Sequence, residues 1–99
     1  MTAHPNPRLT SRQFELVAKA LADPRRMALL ETIAAEEECP CQRLRDQFPV
    51  SKATISHHIK ELVRAGLVDA RKEGQFLHCE VRREVVEAYT AELRRRVGS

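Results

Sequence analysis

Val50-Ser51-Lys52-Ala53-Thr54-Ile55-Ser56-His57-His58-Ile59-Lys60-Glu61-Leu62-Val63-Arg64-Ala65-Gly66 is the stretch that decides the fold. Ser51 is a helix N-cap residue, with a hydroxyl able to accept one of the N–H groups that a helix start leaves open. Ile55, Ile59 and Leu62 recur at helical spacing and define a buried side. Gly66 is the residue type that closes a helix at the C′ position. With Ile55 at the centre of the buried side, steps of about 100° per residue put Ala53, Ser56, His57, Lys60 and Arg64 on the opposite face. Lys52 and Thr54 flank that face near its N-terminal end, and His58 falls at the edge of the core.

Downstream the pattern changes. Leu67–Lys72 and Gln75–Val81 read as two strands joined at Glu73-Gly74, and a last helix is expected over Arg83–Arg96 with Val86, Tyr89 and Leu93 on one stripe. Upstream, Cys39-Pro40-Cys41 leads into a short helical segment in which Leu44 and Phe48 share a face, interrupted by Pro49. Asp23-Pro24 is an N-cap followed by proline at the first helical position, where the missing N–H costs nothing. That helix should run to about Ala35 and bury Met27, Leu30, Ile33 and Ala34. The acidic run Glu36-Glu37-Glu38 beyond it reads as a solvated loop. An earlier helix starts at Thr10, where Gln13 completes a capping box and Leu9 with Phe14 forms a hydrophobic staple, and ends near Ala22. Residues 1–9, with two prolines and His4, are expected to be a flexible N-terminal tail, and residues 10–97 one folded domain.

The element order is α-α-(short β)-α-α-β-β-α, mainly α with a β-hairpin: a winged helix-turn-helix. The second helix of such a pair enters the major groove. Ser51, Lys52, Thr54, Ser56, His57, Lys60 and Arg64 on that helix carry donors and acceptors suited to base edges and phosphates. In the hairpin, Arg71, Lys72 and Gln75 are placed to reach the neighbouring minor groove or its phosphates. The plainer reading of both segments is a solvated helix face and a charged, edge-protecting hairpin tip. The partner helix, tight turn and basic hairpin in series favour the DNA reading.

The bulk numbers agree. A length of 99 residues allows one domain, and a core of this size gains from pairing with a second copy. A formal charge of +3 permits a nucleic-acid partner without establishing one. No apolar run approaches a membrane span, and the start lacks the apolar segment of an export signal. Three cysteines, an odd number, argue for reduced thiols and a cytoplasmic location.

Leu21-Ala22-Asp23-Pro24-Arg25-Arg26 and the run from Val50 to Val68 resemble the ArsR/SmtB (arsenic-repressor) family, and the charged hairpin that follows also fits. The resemblance covers nearly everything from Phe14 to Leu93. It implies a homodimer joined through the first and last helices, double-stranded DNA with a palindromic operator as partner, and repression relieved by an inducer.

Family members commonly sense metals or metalloids. One family site uses acidic and His ligands on the last helix, and Arg83–Arg96 contains no His. Another uses a Cys-x-Cys motif at the start of the first helix of the DNA-binding pair. Counted back without a gap, the family's thiol positions fall here on Pro40, Gln42 and Arg45, one residue away from Cys39 and Cys41. A one-residue shift in extended chain turns side chains to the other face. A different arrangement is open. If the Cys39–Cys41 link is a short strand against the outer hairpin strand, Cys39 and Cys41 share a face and Cys79 can join them. No cofactor is certain. A three-thiolate cluster suits arsenite or another thiophilic ion, and the same thiols suit oxidation. The alternative is three ordinary cysteines buried as small apolar side chains.

No nucleophile–base–orienter set or phosphate loop is visible, so no enzyme activity is expected. The other function class is a winged helix used for protein–protein contact with little DNA affinity. The polar, basic face of Ser56, His57 and Lys60 speaks against it.

Overall fold

The computed structural model describes residues 8–98. Met1–Pro7, including His4 and most of the expected tail, lie outside the described residues. Helix α1 spans Ser11–Leu21, α2 Pro24–Ala34, β1 Cys39–Pro40, α3 Cys41–Gln47, α4 Lys52–Arg64, β2 Val68–Glu73, β3 Phe76–Val81 and α5 Arg83–Val97. This is the winged helix-turn-helix order. The three strands form one antiparallel sheet in the order β1-β3-β2.

Local chemistry sets the helix ends. Thr10 Oγ1 accepts from Gln13 N at 3.1 Å, and Asp23 Oδ1 accepts from Arg25 N and Arg26 N at 2.8 and 3.3 Å. Only the threonine half of the expected capping box forms; the Gln13 side chain lies instead against Gly66. Gly66 closes α4 with φ +84°, its N–H on Val63 O at 2.9 Å and Leu67 N on Leu62 O at 3.0 Å. That pair of bonds is a Schellman closure, and the positive φ is what selects glycine.

The core joins Val17 and Ala20 of α1, Leu29, Leu30 and Ile33 of α2, Leu44 of α3, Ile55, Ile59 and Leu62 of α4, Val68 of β2 and Val85 and Ala88 of α5. Four expectations need correction. Met27 is 38% exposed and Leu29 takes the buried place, because the side of α2 that carries Met27 faces an open cleft toward Val86 of α5. On α5 the buried apolar residues are Val85 and Ala88; Val86 and Tyr89 are half-buried and Leu93 is 42% exposed. The hairpin turns at Gly74-Gln75, one residue later than expected, with φ +63° at Gly74, which fits a two-residue turn that wants glycine first. Leu9, placed in the tail by composition, is buried in the core cluster.

Two ties fix the helices around this core. Arg26 of α2 reaches Asp23 at 3.5 Å and Glu61 of α4 at 3.8 Å. At the other side, Phe14 of α1 stacks with Tyr89 of α5 at 4.9 Å between centroids, with the Arg96 guanidinium 4.0 Å over the Phe14 ring.

Candidate nucleic-acid interface and buried thiol pair

α4 exposes the face that its periodicity defines. Ile55, His58, Ile59 and Leu62 are buried, while Lys52, His57, Lys60 and Arg64 are exposed and Thr54 and Ser56 half-exposed. Ser51 caps the helix: its Oγ accepts from Thr54 N at 3.1 Å and lies 2.9 Å from Thr54 Oγ1. The cap leaves the remaining N–H groups of the first turn open to an anion, the polarity a phosphate needs. Among the described residues, Lys52, Lys60 and Arg64 have no carboxylate within ion-pair distance.

His58 is the polar residue on the wrong side of α4. It is 7% exposed, and burial holds its pKa below the usual histidine value, against the pull of Asp23. Its Nδ1 has no hydrogen-bond partner among the described residues. Sequence periodicity placed it at the core edge but gave no sign of the Asp23, Arg26 and Glu61 charges that gather at this junction of α2 and α4.

The hairpin is less free. Lys72 and Gln75 are exposed, but Arg71 pairs with Glu38 and lies 3.5 Å from Glu73. Glu73 also meets His78 at 3.5 Å. Glu38, Glu73 and His78 bring ligand-type atoms within 4.8 Å of one another, with the Arg71 guanidinium already paired to both carboxylates. The "solvated loop" Glu36–Glu38 is therefore anchored, since Glu36 pairs with Arg43 of α3 as well.

The cysteines come together as a pair and a bystander. The link forms a short strand against the outer hairpin strand, as expected, and its register sets Cys39 opposite Cys79, but Cys41 is already the first residue of α3 rather than part of an extended strand. Turning into the helix swings Cys41 Sγ to 3.1 Å from Cys79 Sγ. That is too long for the disulfide bond of about 2.05 Å and short enough for a shared proton. Cys39 Sγ lies near its neighbour's carbonyl, Pro40 O, at 3.7 Å, and the three sulfurs do not all fall within 4.8 Å of one another. All three residues are at most 2% exposed. The contact with Cys79 lowers the Cys41 thiol against the opposing effect of burial, and Arg45 lowers it further. The same contact, then burial, pushes Cys79 far up, and burial followed by Glu36 raises Cys39. The pair thus gives up one proton more readily than a lone thiol and keeps the other.

A capped helix with a polar outer face, a partner helix and a three-stranded wing define a winged helix-turn-helix protein. A helix-turn-helix domain family matches residues 21–71, just over half of the chain. The arsenical resistance operon repressor of Staphylococcus xylosus is 36% identical over 66 residues, covering 67% of this chain and 62% of that protein. The crystal structure of an ArsR family transcriptional regulator superposes with a TM-score of 0.74 at 26% identity, covering 94% of this chain and 98% of that one. A homodimeric winged helix-turn-helix DNA-binding domain from Mycobacterium bovis, described as a possible ArsR-family regulator, gives 0.70 at 26% identity over 83% of this chain and 76% of that one. The chain belongs to the ArsR-type winged helix-turn-helix family, whose members are transcriptional regulators and not enzymes. It spans 62% of the length of the staphylococcal relative. Among the described residues, no helix is long and apolar enough to cross a membrane.

Proposed function

We propose that this chain is a sequence-specific DNA-binding repressor, acting in the cytoplasm as a homodimer on a palindromic operator and released by a thiophilic metalloid or an oxidant. The observation that carries the reading is α4, which buries Ile55, Ile59 and Leu62 and turns Ser56, His57, Lys60 and Arg64 outward. His57 and Ser56 read base edges, Ser51, Lys52, Thr54, Lys60 and Arg64 meet phosphates or flanking bases, and the wing adds Arg71, Lys72 and Gln75. Dimerisation is supported by Leu93 and Val97, 42% and 68% exposed on α5, and by the homodimeric mycobacterial relative. Two copies related by a two-fold axis place two α4 helices about one DNA turn apart.

The thiol pair stands at the root of both DNA-contacting elements, with Cys41 on α3 and Cys79 on β3. A ligand there biases the spacing of the recognition helices, and a coupling of about 1–3 kcal/mol weakens operator binding roughly 5–150-fold. Fluorescence anisotropy of the reduced protein on its own upstream DNA tests the reading. Tight binding that falls steeply with salt is the expected result. Affinity no better for that DNA, or for any fragment of a genomic selection, than for random duplex would overturn it.

A further inference from the structure

Two apolar hollows of the same size, about 370 Å3 each, differ in the charge around them. The cleft between α2 and α5 carries Glu31 and Glu87 beside Arg83. The groove between α3, α4 and the hairpin carries no carboxylate. Its apolar surface comes chiefly from Ile59, Val63, Ala70 and Leu77, and its charged residues are Arg45, Lys60 and Arg64. Lys60 and Arg64 stand one helical turn apart on α4, and Arg45 reaches the same groove from α3. A hollow of this volume, mostly apolar with a few converging polar groups, is the form that small-molecule sites take.

Three facts narrow the ligand. Among the described residues, Arg45, Lys60 and Arg64 have no carboxylate within ion-pair distance. Arg45 Nε is buried and has no hydrogen-bond partner among them, an open donor that an acceptor would relieve. Val63 is 40% exposed and Ala70 is exposed, so apolar surface of the groove is open to an occupant. A phosphate backbone satisfies the cations and leaves the apolar floor wet. A plain hydrocarbon covers the floor and leaves Arg45 unmet. One anionic head on an apolar body answers both.

We infer that this groove binds an amphipathic monocarboxylate of the medium-chain fatty-acid class, its chain on Ile59, Val63, Ala70 and Leu77 and its carboxylate among Arg45, Lys60 and Arg64. Apolar burial supplies most of the affinity, and the charge-assisted bonds orient the head. The ligand is held without a covalent bond. Its effect rests on the DNA-binding reading of α4. A carboxylate on Lys60 and Arg64 takes their charge from the phosphates, and the chain stands between α4 and the wing. Bound ligand and bound operator therefore oppose each other, each weakening the other by the same factor.

The test titrates the reduced full chain with octanoate, butanoate and octan-1-ol, read by methyl and amide NMR shifts, calorimetry and operator anisotropy. Octanoate should bind saturably, one per protomer, shifting Ile59, Val63, Ala70 and Leu77 and leaving the intact mass unchanged. It should bind at least about tenfold more tightly than butanoate, from the added chain burial. Octan-1-ol, without the charge, should bind at least about tenfold more weakly than octanoate. Ala70→Leu, which fills the groove from the exposed side of β2, should raise the octanoate needed for operator release at least about tenfold. Arg45→Gln should raise it severalfold, and both variants should keep the operator affinity of the wild type. Shift mapping on the unmutated protein decides the matter even where a variant fails to fold. Equal affinity for octan-1-ol would overturn the inference, as would shifts confined to Met27, Leu30 and Val86 of the other cleft. If octanoate fills the groove but the protein binds no operator, the repressor reading fails and the site stands. If operator binding is tight and octanoate leaves the groove unshifted, the site fails and the repressor stands.

Discussion

α4 and the wing carry the same kinds of charge but hold them differently. On α4, Lys52, Lys60 and Arg64 project without a carboxylate partner among the described residues, so their charge is available to phosphates. On the wing, Arg71 is pinned by Glu38 and Glu73, and a phosphate must compete with both. Burial separates the two elements as well. α4 is anchored along its length by Ile55, Ile59 and Leu62, whereas the hairpin tip ends in Phe76, 61% exposed. The basic residues of the two segments are not equivalent donors, and the difference comes from what lies behind each.

The comparison breaks hardest at Leu62. Fully buried, it should cost about 2–5 kcal/mol on Leu62→Ala, seen in urea unfolding, while Phe76→Ala at the wing tip should be nearly neutral. Next in size is His57→Ala, which should lose about 1–3 kcal/mol on the preferred operator and little on random duplex, flattening sequence preference in competition binding. Ser51→Ala removes the α4 cap and should destabilise the fold by about 1 kcal/mol without changing which sequence is preferred. Arg71→Ala should weaken binding to all sequences by no more than about 1 kcal/mol, less than Lys60→Ala. Glu38→Gln should do the reverse and strengthen binding slightly at low salt by releasing Arg71. An Arg71 effect as large as that of Lys60 would mean DNA strips the glutamates away.

The smallest effect is a pH dependence at the base of α4. His58 has a pKa below its ordinary 6.5 because burial disfavours the charged ring, so the unfolded chain binds the proton more readily. Its stabilising contribution is complete above about pH 6.5 and is lost as pH falls toward the folded-state value. Thermal unfolding of the wild type should therefore fall off below that pH more than His58→Gln does.

Much of this was legible from residue order. Caps at Thr10, Asp23 and Ser51, glycines at 66 and 74, and the two periodicities located the helices and the hairpin, because those signals act over a few neighbours along the chain. The outward face of α4 followed for the same reason. Met27 misled because an apolar residue on a short helix is assigned to the core by pattern alone, while the cleft between α2 and α5 leaves that side open. The stripe of Val86, Tyr89 and Leu93 was read correctly as a stripe but not as the outer one, since α5 carries a second apolar row at Val85 and Ala88. The anchoring of Glu36 and Glu38 had no local signal at all, as each partner lies on another element.

The cysteines mark the boundary most sharply. The sequence by itself determined that Cys39 and Cys41 flank Pro40 ahead of a short helix and that Cys79 lies on the outer hairpin strand, because strand and helix patterns act over neighbouring residues. Only the tertiary structure decided that the chain turns into α3 at Cys41, and so which two of the three sulfurs touch. Helix and strand rules govern direction along a segment, whereas a 3.1 Å contact between residues 38 positions apart depends on how α3 packs against β3. That packing is a sum of distant contacts, and no short stretch of the chain contains it.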